Sequence, residues 1–313
     1  MIKNPFEYAR VEKLKLTREQ EKEIKGLYQE ALEELRRSFK YFNRSTSNYS
    51  LLKKIYIKQA KKEIVDIMNY VDNRTESLIN GNMEKMVEIV FQNNEIFLRG
   101  SGYKDYINNP MLKSDVINRI YTGKIYQGKW NLSSAIWGDN QAKINEMNSI
   151  IAKGVAENKS LYEISKSLER YVNPNARKSY EWNKMFPGSR KNVDYNAQRL
   201  ARTTIQHAYQ QSFVSATFYN PFIEAYRWVT SGGHNVCQLC LDRESLDEYG
   251  LGNGIFPKDK LPLDHPNGMC TFEVVMSMTD DEISDCIADW YMGIGDKRMN
   301  KQLDKFSKYL KKN

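Results

Sequence analysis

Apolar positions recur every three or four residues over most of the chain, and this spacing predicts helices. Ile24, Leu27, Tyr28, Ala31, Leu35 and Phe39 form one such stripe. Thr17-Arg-Glu-Gln20 ahead of it reads as a capping box, with the Thr17 hydroxyl on the Gln20 backbone N–H and the Gln20 side chain reaching back. A second helical region over about 50–93 uses Leu52, Ile55, Ile64, Met68, Val71, Leu78, Met86, Val90 and Phe91, and Gly81 between two asparagines predicts a break or kink in it. Residues 94–140, punctuated by glycines and Pro110, read as a connector with short elements. Helices are predicted over about 141–157, from a Ser160-Leu-Tyr-Glu163 capping box to Val172, and over 194–220, with a polar, basic loop between the last two. The period then changes to two. Residues 224–231 read as a strand with Tyr226 and Trp228 on one face, and 271–278 as another. Thr279-Asp-Asp-Glu282 caps a short last helix.

This pattern predicts a mainly α protein with a small α+β, zinc-knuckle-like unit near the C-terminus and long amphipathic helices at the N-terminus. In domain terms, 1–93 is a helical arm or bundle, 94–140 a connector, 141–295 the domain holding the knuckle, and 296–313 a basic tail. Apolar residues make up 41% of the 313, which allows a sizeable core. No run of 18 apolar residues occurs, so no membrane span is expected. The N-terminal stretch lacks the apolar core of a secretory signal, which predicts a cytoplasmic chain.

Charge adds a second feature. The formal net charge is +8. Residues 1–80 hold 17 Lys+Arg against 12 Asp+Glu, and residues 296–313 hold 7 against 2, so the basic excess lies at the two ends. Such ends can meet nucleic-acid phosphates; the plain alternative is solvated helix faces, favoured for the N-terminal part, and a solvated tail.

Three of the four cysteines fall between 237 and 270. The spacing is Cys237-x2-Cys240-x24-His265-x4-Cys270. Two cysteines at i and i+3 can point both sulfurs at one spot, and a distant His/Cys pair can complete a tetrahedron around zinc. The intervening 24 residues are poor in apolar side chains and costly to order without a clamp. Four protein ligands close the coordination sphere, which predicts a structural ion and no catalytic one. The plain alternative is a set of reduced, packed thiols without metal. Cys286, beside Ile287 and Trp290, reads as a core thiol.

Enzyme signatures are missing. There is no H-x-E ahead of P-C-x-x-C, no H-E-x-x-H, no P-loop and no G-x-G-x-x-G. Arg44-Ser-Thr-Ser47 has no E-x-E after it and reads as a loop. His207 reads as a surface or half-buried helix histidine. A metal-dependent nuclease or toxin-like effector using Asp264, His265 and His234 is the rival reading.

The order of the parts resembles the tailed-phage minor head proteins, the head-morphogenesis or MuF-like family. The residues that carry the resemblance are Ala201-Arg-Thr-Thr204, Tyr226-Arg-Trp228, Cys237-Gln-Leu-Cys240, Gly250-Leu-Gly-Asn-Gly254 and His265-Pro-Asn-Gly-Met-Cys270, preceded by Ile136-Trp137 and the helices of 141–172. The likeness spans about 130–278. Many relatives have Glu where this chain has Thr204, and a cysteine where it has Gly268. The resemblance implies a structural, low-copy virion component and no enzyme. It implies association with the portal protein and the inner head, with major capsid or scaffolding protein as further partners, and a role in DNA packaging or delivery. The expected places are the virion and, during assembly, the host cytoplasm. Arg202 is expected to pair with an acidic group near the knuckle, to contact a partner, or to sit in solvent.

Overall fold

The fold is described from a computed structural model, which describes residues 6–42, 50–103, 110–126, 132–157, 159, 161–169, 171–173, 195–232 and 236–311. His234, the Arg44–Ser47 loop, the Ser160 cap and the segment 174–194 lie outside them. Among the described residues there are nine helices: α1 (Glu7–Phe42), α2 (Ser50–Gly100), α3 (Pro110–Tyr121), α4 (Leu132–Ala156), α5 (Leu161–Glu169), α6 (Tyr195–Thr217), α7 (Gln238–Ser245), α8 (Asp280–Tyr291) and α9 (Lys297–Lys311). A short 3₁₀ turn, Lys124–Tyr126, follows α3. Three strands, β1 (Ile223–Val229), β2 (Ile255–Pro257) and β3 (Thr271–Met276), make one antiparallel sheet in the order β2-β1-β3. The molecule is thus mainly α with a small sheet near its C-terminus. Among the described residues, no helix is long and apolar enough to cross a membrane.

Four expectations change. First, α1 begins ten residues before Thr17. That hydroxyl donates to the Lys13 carbonyl within the helix (2.8 Å) instead of capping a start. Second, α2 runs through Gly81, which is exposed and has open space where a side chain would be. Third, the predicted connector carries the end of α2, all of α3 and the start of α4. Fourth, the predicted tail is helix α9, with Leu303, Phe306 and Leu310 buried. The predicted cap of the last knuckle-side helix is present: Thr279 and Glu282 make a reciprocal capping box at the start of α8.

The chain forms two compact units, each built from separated segments. One takes in 18–80 and 128–201. Its core joins Ile24, Tyr28 and Leu35 of α1, Ile64, Met68 and Val71 of α2, Ile151 of α4, and Ile164 and Leu168 of α5. A buried lysine is satisfied there, as Lys143 donates to the Tyr28 hydroxyl at 2.7 Å.

The other unit takes in residues up to Thr17, 81–127 and 202–313. Its main core packs Ile205, Ala208, Tyr209, Phe213 and Ala216 of α6 against Tyr226 and Trp228 of β1 and Phe272 of β3. The Trp228 and Phe272 rings meet edge to face at 5.2 Å, a favoured geometry. The register sets Trp228 opposite Phe272 and Tyr226 opposite Val274. A smaller cluster seats α9 on Phe97, Tyr103, Ile283 and Ile287. The polar side of α6 is buried as well. Thr203, Thr204, Gln206, His207 and Gln210 all lie inside, and Thr203, Gln206, His207 and Gln210 each bond to the segment 262–270.

Candidate metal centre

Cys237 sits in extended backbone immediately before α7, and Cys240 closes the helix's first turn. The Cys240 and Leu241 N–H groups both donate to the Cys237 carbonyl, at 3.0 and 3.1 Å. That turn brings the two sulfurs to one side. His265 arrives from the loop before β3. Its Nε2 lies 3.2 Å from Cys237 Sγ and 3.3 Å from Cys240 Sγ. A tetrahedral site with metal–sulfur bonds of ~2.3 Å and metal–nitrogen bonds of ~2.0 Å spaces such atoms by about 3.5 Å. The three side chains therefore form a cluster within metal-binding distance.

The histidine is fixed by its own turn. Its Nδ1 is 3.0 Å from the Pro266 carbonyl, so Nδ1–H donates there and the Nε2 lone pair faces the thiols. A tight turn fixes the loop, with Gly268 N–H on the His265 carbonyl at 2.9 Å and Asn267 in left-handed backbone (φ 70°), which asparagine tolerates. Helix α6 grips this turn. The Asn267 N–H donates to Thr203 Oγ1 at 2.9 Å, and Arg202 donates to Asn267 Oδ1 at 2.6 Å. Arg202 thus holds the knuckle turn through an amide.

Cys270 stands in a second cluster with Cys240 and Asp264, and Cys240 is common to both. Asp264 is 2% exposed. Its Oδ2 accepts from Gln206 Nε2 (2.9 Å) and its Oδ1 from the His265 N–H (2.8 Å). Its backbone is gripped too, the N–H by Gln210 Oε1 and the carbonyl by His207 Nε2, both at 2.9 Å. The carboxylate rests directly on Gly268, where a side-chain carbon would overlap it. Position 268 must therefore be glycine while Asp264 keeps this place.

Sequence reasoning missed Lys13. It is 1% exposed, and its ammonium donates to Gln206 Oε1 (2.7 Å) and to the Cys270 carbonyl (2.8 Å). It also lies 4.5 Å above the Tyr209 ring. Burial pulls its pKa down to about 7, while Asp264 and Cys270 pull the other way. The signal was present: Phe6, Ala9, Lys13 and Leu16 share one helical face, all buried, so this lysine stands in an apolar stripe.

Burial raises the pKa of the Cys240 thiol, and the neighbouring Cys270 and Cys237 add to this. Burial and then Asp264 raise that of Cys270. A cation bound here must displace thiol protons, so its binding is pH-dependent. His207 is fully buried, not half-exposed: Nδ1 lies 2.6 Å from the Tyr126 hydroxyl. Burial lowers its pKa. Cys286 is partly buried and packs against the smaller cluster.

The supposed loop between the two halves is ordered by its own contacts. Glu244 accepts from Thr230 N–H and Oγ1, both at 2.9 Å. Asp247 Oδ1 accepts from the Leu251 and Gly252 N–H groups, and β2 pairs with β1. In comparison with known proteins, no protein-family model, curated protein or solved structure matches this chain.

Proposed function

We propose that this chain is a structural minor head protein of a tailed phage and not an enzyme. It sits in few copies at the portal protein and the inner head, alongside major capsid or scaffolding protein, and serves DNA packaging or delivery. It is made in the host cytoplasm and ends in the virion. One observation carries the reading: the motifs that resemble the family, scattered over 201–270, converge on one place. Arg202 and Thr203 hold the His265–Gly268 turn, Trp228 stands under the Arg243 guanidinium of α7 at 4.7 Å, and Cys237 and Cys240 meet His265.

The metal is zinc, held by Cys237, Cys240 and His265 with Cys270 as the fourth ligand. Bound there, zinc supplies a cross-link between α7 and the segment leading into β3. The chain's own residues do the rest: Pro266 fixes the imidazole, Gln206 and Lys13 fix the Cys270 backbone, and Asp264 pins the loop. Asp264 is buried with both oxygens engaged, which speaks against its serving as the general base of a nuclease.

Two measurements test this. Elemental mass spectrometry on purified protein should find one zinc per chain, lost together with thermal stability in Cys237→Ser. Quantitative proteomics of phage particles from the encoding genome should find the chain in a few copies per particle. Its absence from particles would overturn the virion reading, and metal-free reduced protein would overturn the zinc.

A further inference from the structure

Helix α9 is split lengthwise. Leu303, Phe306 and Leu310 face inward onto Phe97, Tyr103, Ile283 and Ile287. Lys297, Arg298, Lys301, Lys305, Lys308 and Lys311 are all exposed. At 3.6 residues per turn these six fall within an arc of about 140°, and Lys297 to Lys308 spans about 16 Å. The one acid of the helix, Asp304, accepts from the Trp290 indole N–H at 3.0 Å, and Asp296 just before it accepts from the Met299 N–H at 2.8 Å. The six cations thus share one exposed face of the helix, a row in which Asp304 is the one carboxylate.

Beside the row lies a recess of about 330 Å³ lined by Phe218, Tyr219, Lys258, Gln302, Lys305 and Phe306, among others. Tyr219 is 55% exposed, and its ring rests 4.2 Å from that of Tyr309. Lys258 donates to the Asn220 carbonyl at 3.0 Å and keeps two further N–H donors. Lys305 belongs to both the row and the recess.

Three chemistries meet such a surface: an anionic membrane, an acidic protein and a nucleic acid. A membrane-bound amphipathic helix buries its apolar face in lipid, and here that face is already covered by the protein's own core. A row of lysines beside the exposed Tyr219 ring suits a phosphodiester strand, with phosphates on the ammoniums and a base on the ring. Lysines, as point charges without a planar fork, bind phosphates without reading sequence.

We propose that α9 and the adjoining recess form a sequence-independent site for a single nucleic-acid strand. The lysine row takes consecutive phosphates, and the recess takes one unstacked base against Tyr219. The site stands on this geometry alone and does not depend on the virion reading.

Fluorescence anisotropy of the full-length protein tests it, with a labelled oligothymidylate, a duplex of equal length, and vesicles of phosphatidylcholine and phosphatidylserine as the third arm. The oligothymidylate should bind at low salt, with log Kobs falling linearly in log salt. Replacing Lys301, Lys305 and Lys308 together by Gln should flatten that slope by about 2 (about 0.7 per phosphate). Tyr219→Ala should weaken single-strand binding at least about fivefold and leave the duplex unchanged. All four side chains are on the surface, and circular dichroism confirms that the variants fold. No binding of either DNA at low salt overturns the site, whatever the variants do. Binding to vesicles but not DNA overturns it in favour of a membrane surface. An equal effect of Tyr219→Ala on both DNA forms, or none, overturns the assignment of the base to the recess.

Discussion

Lys13, Gly268 and His207 show how single side chains decide this site. Without the Lys13 ammonium, Gln206 Oε1 loses its donor inside the core. Leaving a buried polar group unsatisfied costs about 1–3 kcal/mol, so Lys13→Met should lower the unfolding free energy read from urea denaturation by that much. Gly268→Ala should be worse than an average glycine replacement, because the new methyl must displace Asp264 from both of its donors. Asp264→Ala in the same chain should restore part of the loss, and equal melting temperatures for the single and double variants would refute the contact. His207 gives a pH dependence. Its folded pKa is lowered by burial, so the unfolded chain binds the proton more readily. The stability this group contributes is complete above about pH 6.5, the unfolded value, and is lost as pH falls below it. A ring-proton NMR titration should place the His207 midpoint below 6.5, and a midpoint above it would contradict the burial.

Elements were legible where their signals are local. Both long strands, the Thr279 box and the C-x2-C turn rest on neighbours within a few residues, and the structure keeps them. Thr17–Gln20 has the same box pattern but lies inside α1, because the apolar stripe continues upstream through Phe6, Ala9 and Leu16. A stripe carried by tertiary packing overrides a cap motif. Likewise α9 read as a tail because charge dominates its composition, although Met299, Leu303, Phe306 and Leu310 keep helical spacing within it. Two substitutions separate these cases. Thr279→Ala should cost about 1 kcal/mol through loss of the cap, whereas Thr17→Ala loses only a bond within the helix and should cost less. Phe306→Ala should cost about 3–5 kcal/mol, while truncating a true tail would cost nothing in a thermal melt.

For the molecule as a whole, the sequence suggests a linear division at 93, 140 and 295, while the compact units are each gathered from distant segments. The contacts responsible, such as Lys13 with Gln206 and Cys270, join residues about 200 to 250 positions apart, and no local pattern announces them. Hydrogen exchange before and after chelation should make the division visible. Chelator should speed exchange in α7, in 262–276 and in the start of α1, and leave 64–71 in the other unit unchanged. Equal acceleration in both units would show that the metal does not act within its own unit.

The bond from Lys13 to the Cys270 carbonyl also orders events in time. The ribosome releases Lys13 early and Cys270 257 residues later. Until then the ammonium in the first turns of α1 has Gln206, made 64 residues earlier, but no Cys270 carbonyl to meet. A chain cut short before residue 270 therefore leaves a buried lysine one acceptor short, a defect that translation of the knuckle removes.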